Sequence, residues 1–309
     1  MSIINCAFLL FIISIGIMGC GVSSKLNTVK TIPYPSSSGV EYAKHQFYVM
    51  GDDATALLVL DHHLNTIDSL PIVAYSAHRI PKDKKPDIEA LALTTNQQLW
   101  MIGSGATPQR NNYWIADLAN KKISQHSFEK LYAAITEKAI SALNIEGATF
   151  MSESLLLANR GHHGFPFNHF VKIDTASIHH QEIPSFQIIP IQLPAAITHF
   201  SGISGLCYSP TDDVLFATAS TEETNNSLDD GAIGKSYIWI FENFSHIINT
   251  NSILPTHCID LETVDNRFKA HKIESICLEK KTAKNYHFLL AADNDNGQST
   301  LFKMVLKKD

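Results

Sequence analysis

A short string recurs five times along the chain, and no other feature limits its possible folds as much. The copies are Gly39-Val40-Glu41-Tyr42-Ala43, Asp87-Ile88-Glu89-Ala90-Leu91, Asn144-Ile145-Glu146-Gly147-Ala148, Gly202-Ile203-Ser204-Gly205-Leu206 and Lys272-Ile273-Glu274-Ser275-Ile276. Each has a β-branched aliphatic residue, then a glutamate (a serine at Ser204), then a small residue (except at Tyr42). The third positions lie 48, 57, 58 and 70 residues apart. A unit of that length cannot bury its own apolar surface and has to stack against its neighbours.

The same order of elements follows each copy. A first apolar strand contains the string. After a short polar turn a second strand follows, at 47–52, 99–104, 155–160, 214–219 and 288–293. A third falls at 57–61, 113–117, 169–174, 237–242 and 301–306, and a fourth at 66–73, 122–128, 186–193 and 256–261. Four strands per repeat, with no helical period between them, predict an all-β β-propeller and exclude a parallel α/β sheet. The one helical pattern, 128–142, has Leu131, Ile135, Ala139 and Ala142 on one face and is expected to cap a face of the ring. The fifth repeat stops after three strands. A strand at 28–34 can supply the fourth, closing the ring and covering an edge. This favours five four-stranded blades. Six remain open, with 179–193 and 244–260 as the spare material.

The first nineteen residues read as a signal peptide. Residues 7–18 form an apolar run too short to span a bilayer comfortably, and nothing later is long and apolar enough to span. Ile17-Met18-Gly19-Cys20 resembles the bacterial lipobox, which implies cleavage before Cys20 and its acylation; no Lys or Arg precedes the run. Residues 20–27 are then a lipidated tether and 28–309 the propeller. The expected address is the bacterial cell envelope, and Gly21 after the cysteine points to the outer membrane, facing the periplasm. An uncleaved N-terminal anchor is the alternative. A net charge of −6 argues against nucleic acid as a partner. Beyond Cys6 and Cys20, Cys207 and Cys277 share a slot held elsewhere by Ala92 and Thr149, so they read as small core residues; with Cys258 they make an odd set that argues against a disulfide framework.

The glutamates sit at the starts of first strands, so they are expected to ring the channel mouth, on the face that carries the long loops. Glu41, Glu89, Glu146 and Glu274 are therefore candidate ligand-binding residues. Like charges at one mouth need countercharge, N–H donors or a hard cation. Asp52, Asp53, Asp229, Asp230, Asp293 and Asp295 add oxygen donors of the kind Ca²⁺ or Mg²⁺ takes, and the candidate metal set is Glu146, Glu89, Asp52 and Asp293. Asp293-Asn294-Asp295-Asn296-Gly297 resembles half an EF-hand loop, but Met304 stands where the closing glutamate would be. The alternative is structural, each glutamate accepting bonds from blade amides. In Arg160-Gly161-His162-His163-Gly164, Arg160 and His162 are candidates for holding an anion and for proton transfer or ligation, or Arg160 pairs with a ring glutamate. Gly103-Ser104-Gly105 can cup an anion or be a plain loop. No Gly-x-Ser-x-Gly or His-Glu-x-x-His occurs.

The lipobox, the glutamate strings, Leu99-Trp100-Met101-Ile102-Gly103-Ser104-Gly105 and Asn226-Ser227-Leu228-Asp229-Asp230-Gly231 together resemble an uncharacterised bacterial lipoprotein β-propeller family, distantly similar to SdiA-regulated and esterase-like phytase propellers. The resemblance covers 28–306; it implies the fold and transfers no activity. The leading expectation is a lipid-anchored propeller that binds a small ligand, a divalent cation or an envelope protein at the mouth. The alternatives are a metal-assisted phosphoesterase or esterase, with Arg160 on the substrate anion, and a non-catalytic scaffold using blade edges and the 220–236 loop.

Overall fold

The computed structural model describes residues 23–178, 180, 182–222, 233–294 and 296–308. The signal segment with Cys20, His179, the Asn226–Gly231 string with Asp229 and Asp230, and Asp295 lie outside the described residues. Twenty strands form five four-stranded antiparallel sheets. After β1 (Ser24–Ile32), blade 1 is β2 (Ser37–Ala43), β3 (Gln46–Gly51), β4 (Ala56–Leu60) and β5 (Thr66–Pro71). Blade 2 is β6 (Ile88–Leu93), β7 (Gln98–Gly103), β8 (Asn112–Asp117) and β9 (Lys122–Ser127). Blade 3 is β10 (Ile145–Met151), β11 (Ser154–Asn159), β12 (Asn168–Asp174) and β13 (Phe186–Ile191). Blade 4 is β14 (Gly202–Ser209), β15 (Val214–Glu222), β16 (Ile233–Glu242) and β17 (His257–Asp260). Blade 5 is β18 (Lys272–Lys281), β19 (Asn285–Asp293) and β20 (Ser299–Lys307), with β1 as its outer strand. The inner strands β2, β6, β10, β14 and β18 contact one another in a closed cycle around the axis. The fold is thus a five-bladed propeller; the spare stretches 179–193 and 244–260 supply β13, β17 and short helical turns, not a sixth blade.

Alternation along the middle strands explains why the blades must pack. On β7, Leu99 and Met101 join a cluster shared with blade 1, while Trp100 and Ile102 join one shared with blade 3. On β19, Leu289 and Ala291 face blade 1, and Phe288, Leu290 and Ala292 face blade 4. A strand apolar on both faces needs cover on both. The core is accordingly a set of inter-blade layers. The inert reading of the cysteines holds in these layers: Cys207 and Cys277 are free and buried, burial raises both thiols, and it raises that of half-buried Cys258 to about 11.

Two elements differ from expectation. The closing strand starts at Ser24, within the stretch read as tether, and runs from Ser24 opposite Leu306 to Ile32 opposite Ser299. Leu26 drives the shift, because it is buried with Phe302, Met304 and Leu306. The strand ends before Pro33, which has no N–H to give a ladder. The helix α1 (Glu129–Lys138) stops at Ala139 and does not cap a face. Leu131, Tyr132 and Ile135 are buried in the layer between blades 2 and 3, with Trp100, Tyr113, Leu155 and Val171. The Tyr132 hydroxyl donates to the Gly103 carbonyl at 2.9 Å, tying the helix to the mouth end of β7.

Closure by β1 has a measurable consequence. Leu26→Ala is expected to lower the unfolding free energy by about 2–4 kcal/mol in urea, as a buried leucine truncation does. Thr28→Ala, on the exposed side of the same strand, should move it by less than about 0.5 kcal/mol. Equal, small effects would show that β1 does not latch the ring.

Candidate functional site

Each inner strand is irregular at the mouth end. The register of β6, β10 and β18 slips between Ile88 and Ala90, Ile145 and Gly147, and Ile273 and Ser275, which leaves Glu89, Glu146 and Glu274 as the extra residues of β-bulges. A bulge re-aims the side chain it carries, here towards the mouth. In blade 4 the slip brackets Ser204; in blade 1 it falls between Ser37 and Gly39 and brackets Ser38. The two serines make the same bond. Ser38 Oγ donates to the Ile88 carbonyl at 2.5 Å and Ser204 Oγ to the Ile273 carbonyl at 2.7 Å, each time the residue before the next blade's glutamate. The ring therefore holds three glutamates and two serines.

Glu41 is not one of its members, which corrects the alignment of the first string. It lies three residues further along β2, level with Ala92, Thr149, Cys207 and Cys277. The string Gly-Val-Glu-Tyr-Ala resembles the others in composition, but the bulge and not the glutamate sets the register. Surrounded by protein yet reached by water, Glu41 has its carboxyl pushed up to about 7 by desolvation, against the N–H groups of Tyr42 and Leu93 that favour its charge.

Around the mouth the charges fall into two clusters. Over blades 3 to 5, Arg160 is 5% exposed. Its Nη2 donates to Glu222 Oε2 at 2.8 Å, and its Nη1 stands 3.5 Å from Glu146 Oε2 and 3.8 Å from Glu274 Oε2. Lys272 bridges Glu222 at 3.0 Å and Glu274 at 2.9 Å. Burial alone would depress both cations; the surrounding carboxylates reverse this and hold them above their ordinary values. Glu274 is pushed up to about 7, by desolvation first and then by Glu146, against Lys272 and Arg160, and its buried Oε2 accepts no hydrogen bond. Asn144 Nδ2 donates to Glu146 Oε1 at 2.7 Å. Gly202 is needed here, since a Cβ on it would lie 2.5 Å from Arg160 Nε.

Over blades 1 and 2, Lys85 pairs with Asp52 and, at 2.7 Å, with Asp87. Asp87 also accepts from Arg110 Nη1 at 2.7 Å and from Ser104 Oγ at 2.6 Å. Ligand oxygens of Asp52, Asp87 and Glu89 all lie within 4.8 Å of one another. Desolvation, then Asp87, Glu146 and Asp52, hold Glu89 well above the usual carboxylate range, so the two clusters repel across Glu89 and Glu146. Beside them a cleft of about 310 Å³ is lined by Asp52, Asp53, Asp293, Arg79 and Lys85 among others, with Arg79 Nε donating to Asp53 Oδ2 at 2.7 Å.

Of the expected metal set, Asp52 and Glu89 come together, Glu146 is their electrostatic neighbour, and Asp293 lines the cleft with Asp52. The oxygen donors suit Ca²⁺ or Mg²⁺. The Lys85 ammonium, however, already sits on Asp52 and Asp87, so a metal would have to share or displace it. Arg160 takes the alternative reading, paired with ring glutamates and not open to an anion. His162 lies in the tight 160–168 loop, where its Nδ1 accepts from Gly164 N at 3.1 Å. Gly103-Ser104-Gly105 is a plain loop whose serine donates to a carboxylate.

Sequence reasoning passed over Lys85, Asp87, Arg110, Glu222 and Lys272 as site residues. Asp87 and Lys272 were readable, because both stand two residues before a ring glutamate. Glu222 ends a long second strand, β15, and brings to blade 4 the carboxylate that Ser204 lacks. Lys85 and Arg110 come from loops of irregular length and leave no periodic trace.

The sequence profile of DUF6929, a family of unknown function, matches residues 33–306. No curated protein matches the sequence. Among solved structures, the chain is similar to glutaminyl cyclase from Myxococcus xanthus, at 9% identity and a TM-score of 0.54, over 93% of this chain and 97% of that one. It is also similar to an auxiliary nutrient binding protein from Bacteroides thetaiotaomicron (9% identity, TM-score 0.44, over 88% of this chain and 69% of that one) and to virginiamycin B lyase from Staphylococcus aureus (9% identity, TM-score 0.42, over 89% and 98%). At such identities the likeness concerns the fold alone.

Glu41 gives this region a pH signature. Its folded value, about 7, is above its ordinary 4.5, so its proton stabilises the fold. That contribution is full below about pH 4.5 and is lost as pH rises through about 7, at most about 3 kcal/mol. Glu274 acts in the same direction. Glu41→Gln, neutral at every pH, should flatten the decline in stability between pH 5 and pH 8, as read by urea unfolding. An unchanged profile would remove Glu41 from a desolvated position.

Proposed function

The chain belongs to the DUF6929 family, a family of unknown function, and on that premise we propose that it is a binding propeller whose mouth takes a cationic group, either a divalent cation or the ammonium of a small ligand. One observation carries the reading: among the described residues both charge clusters hold more carboxylates than cations. Glu146, Glu222 and Glu274 share Arg160 and Lys272, and Asp52, Asp87 and Glu89 share Lys85 and Arg110. Three carboxylates to two cations, twice, in a largely desolvated mouth leaves excess negative charge that has to attract protons or another cation. The raised carboxyls of Glu89 and Glu274 express the same deficit.

A second reading, proton-transfer catalysis, is supported by Glu274. A carboxyl with a pKa near 7 beside Lys272 is suited to act as acid or base at neutral pH. The M. xanthus glutaminyl cyclase shows that the fold can carry an enzyme. The esterase reading lacks its anchor, since an anion approaching Arg160 meets three carboxylates. We further propose that Cys20 carries lipid and holds the protein at a bacterial envelope membrane; the lipobox-like sequence after the apolar run supports this. Among the described residues no helix is long and apolar enough to cross a membrane.

Thermal unfolding of the full chain tests the binding reading. Ca²⁺, Mg²⁺ or methylammonium at about 100 times the dissociation constant should stabilise the fold by about 2.7 kcal/mol, a rise of roughly 4 °C for a chain of this size. EDTA should reverse the metal arms only, and Glu89→Gln with Glu274→Gln should abolish the shift. No rise with any of the three would sink the proposal.

A further inference from the structure

The two ends of blade 5 differ in charge, and the direction of β1 fixes which end the preceding chain leaves. Ile32 pairs with Ser299, itself opposite Asp293 at the mouth, whereas Ser24 pairs with Leu306 at the far end. Whatever precedes residue 24 therefore departs from the end opposite the mouth. That same end carries Lys25, Lys280, Lys284 and Lys307, with Lys44 on the adjacent turn of blade 1, all exposed. None of the five makes an ion pair among the described residues. Of the nearby carboxylates, Asp212 is committed to Lys281 and Lys308, each at 3.0 Å, and Glu279 to Lys303 at 2.8 Å, while Asp117 faces Lys44 without an ion pair. A chain of net charge −6 thus presents a locally basic end.

We infer that this end of blade 5 docks on an anionic lipid surface, so that the mouth opens away from the bilayer. Charge complementarity supports it, because lysines near a membrane are attracted to anionic headgroups over about a Debye length. The five are all lysine, and a compact, mobile point charge suits a diffuse surface better than a fixed bidentate anion. The exit of the chain supports it too. The chain entering this edge comes within a few residues from Cys20, and from the apolar run 7–18 where that run is not cleaved, so either anchor and the lysines act on the same surface. A single weak anchor gains from a basic patch. The lysine surface stands whether or not Cys20 is acylated; only the anchor's contribution rests on that reading.

The test measures partitioning of the full chain between buffer and vesicles of phosphatidylcholine, alone or mixed with phosphatidylglycerol. The expected result is tighter partitioning to the phosphatidylglycerol vesicles, weakening as salt rises. Lys284→Glu with Lys307→Glu should reduce that preference by at least about thirtyfold and leave binding to pure phosphatidylcholine unchanged. Lys84→Glu with Lys269→Glu makes the same change in net charge on the mouth side, and should leave the preference intact. Both pairs are exposed, and unchanged melting midpoints would verify folding. Equal loss from the two pairs would reduce the effect to overall charge and overturn the docking face. An absent phosphatidylglycerol preference, with binding to heparin retained, would overturn it in favour of a soluble polyanion. Cys20→Ser separates the premises: weaker binding to both vesicle types with the preference kept leaves the lysine face standing, and loss of the preference alone removes it.

Discussion

Everything in this molecule follows from strands that are apolar on both faces. Leu99 and Met101 look one way from β7 and Trp100 and Ile102 the other, and neither set can be left to water. An isolated four-stranded blade would expose one of its two faces, so each blade is stable only between two neighbours. The requirement is satisfied at every blade only if the row closes on itself. Closure leaves a single break in the chain to be mended, and β1 mends it by pairing with β20. The same packing brings the inner strands so close that a Cβ on Gly205 would lie 2.7 Å from Ser275 Cα. With the walls held in this way, variation is confined to the mouth loops, where the charges are.

The fold was legible for that reason. Hydrophobic alternation is repeated in every blade, and a misread strand boundary costs little when five copies vote. The missed start of β1 shows the limit: 28–34 alternates well, but Leu26 is recruited by Phe302 and Met304, which are far away in sequence. The site was legible only where it shares the repeat. Glu89, Glu146 and Glu274 follow from the string because their bulges do. Glu41 misled because a matching string is not a matching register; Ser38, with its bond to Ile88, is the true counterpart. Lys85, Arg110 and Glu222 are single contributions from loops and a strand end. They are chosen by the charges they meet in space, and no local pattern in the sequence records them.

The structural and ligand-binding readings of the ring glutamates turn out to be compatible. Burying a carboxylate is costly unless it is paired, and pairing is what Arg160, Lys272, Lys85 and Arg110 do. A ring built only for stability would match each acid with a cation or replace it by a serine, as blades 1 and 4 do at Ser38 and Ser204. This mouth goes part of the way. Serines remove two charges, yet Glu222 returns one to blade 4 on another strand, within 2.8 Å of Arg160. The result, among the described residues, is a pair of clusters that are held in place by their cations and hold more carboxylates than cations. Such a mouth is rigid before anything binds, which lowers the ordering cost of binding. Its residual field is negative, and its most perturbed carboxyls, Glu89 and Glu274, sit on opposite sides of Glu146 in the order of blades. A cation that approached Glu146 would relieve both, so under the proposed binding function the repulsion within this ring is also what would draw the ligand to it.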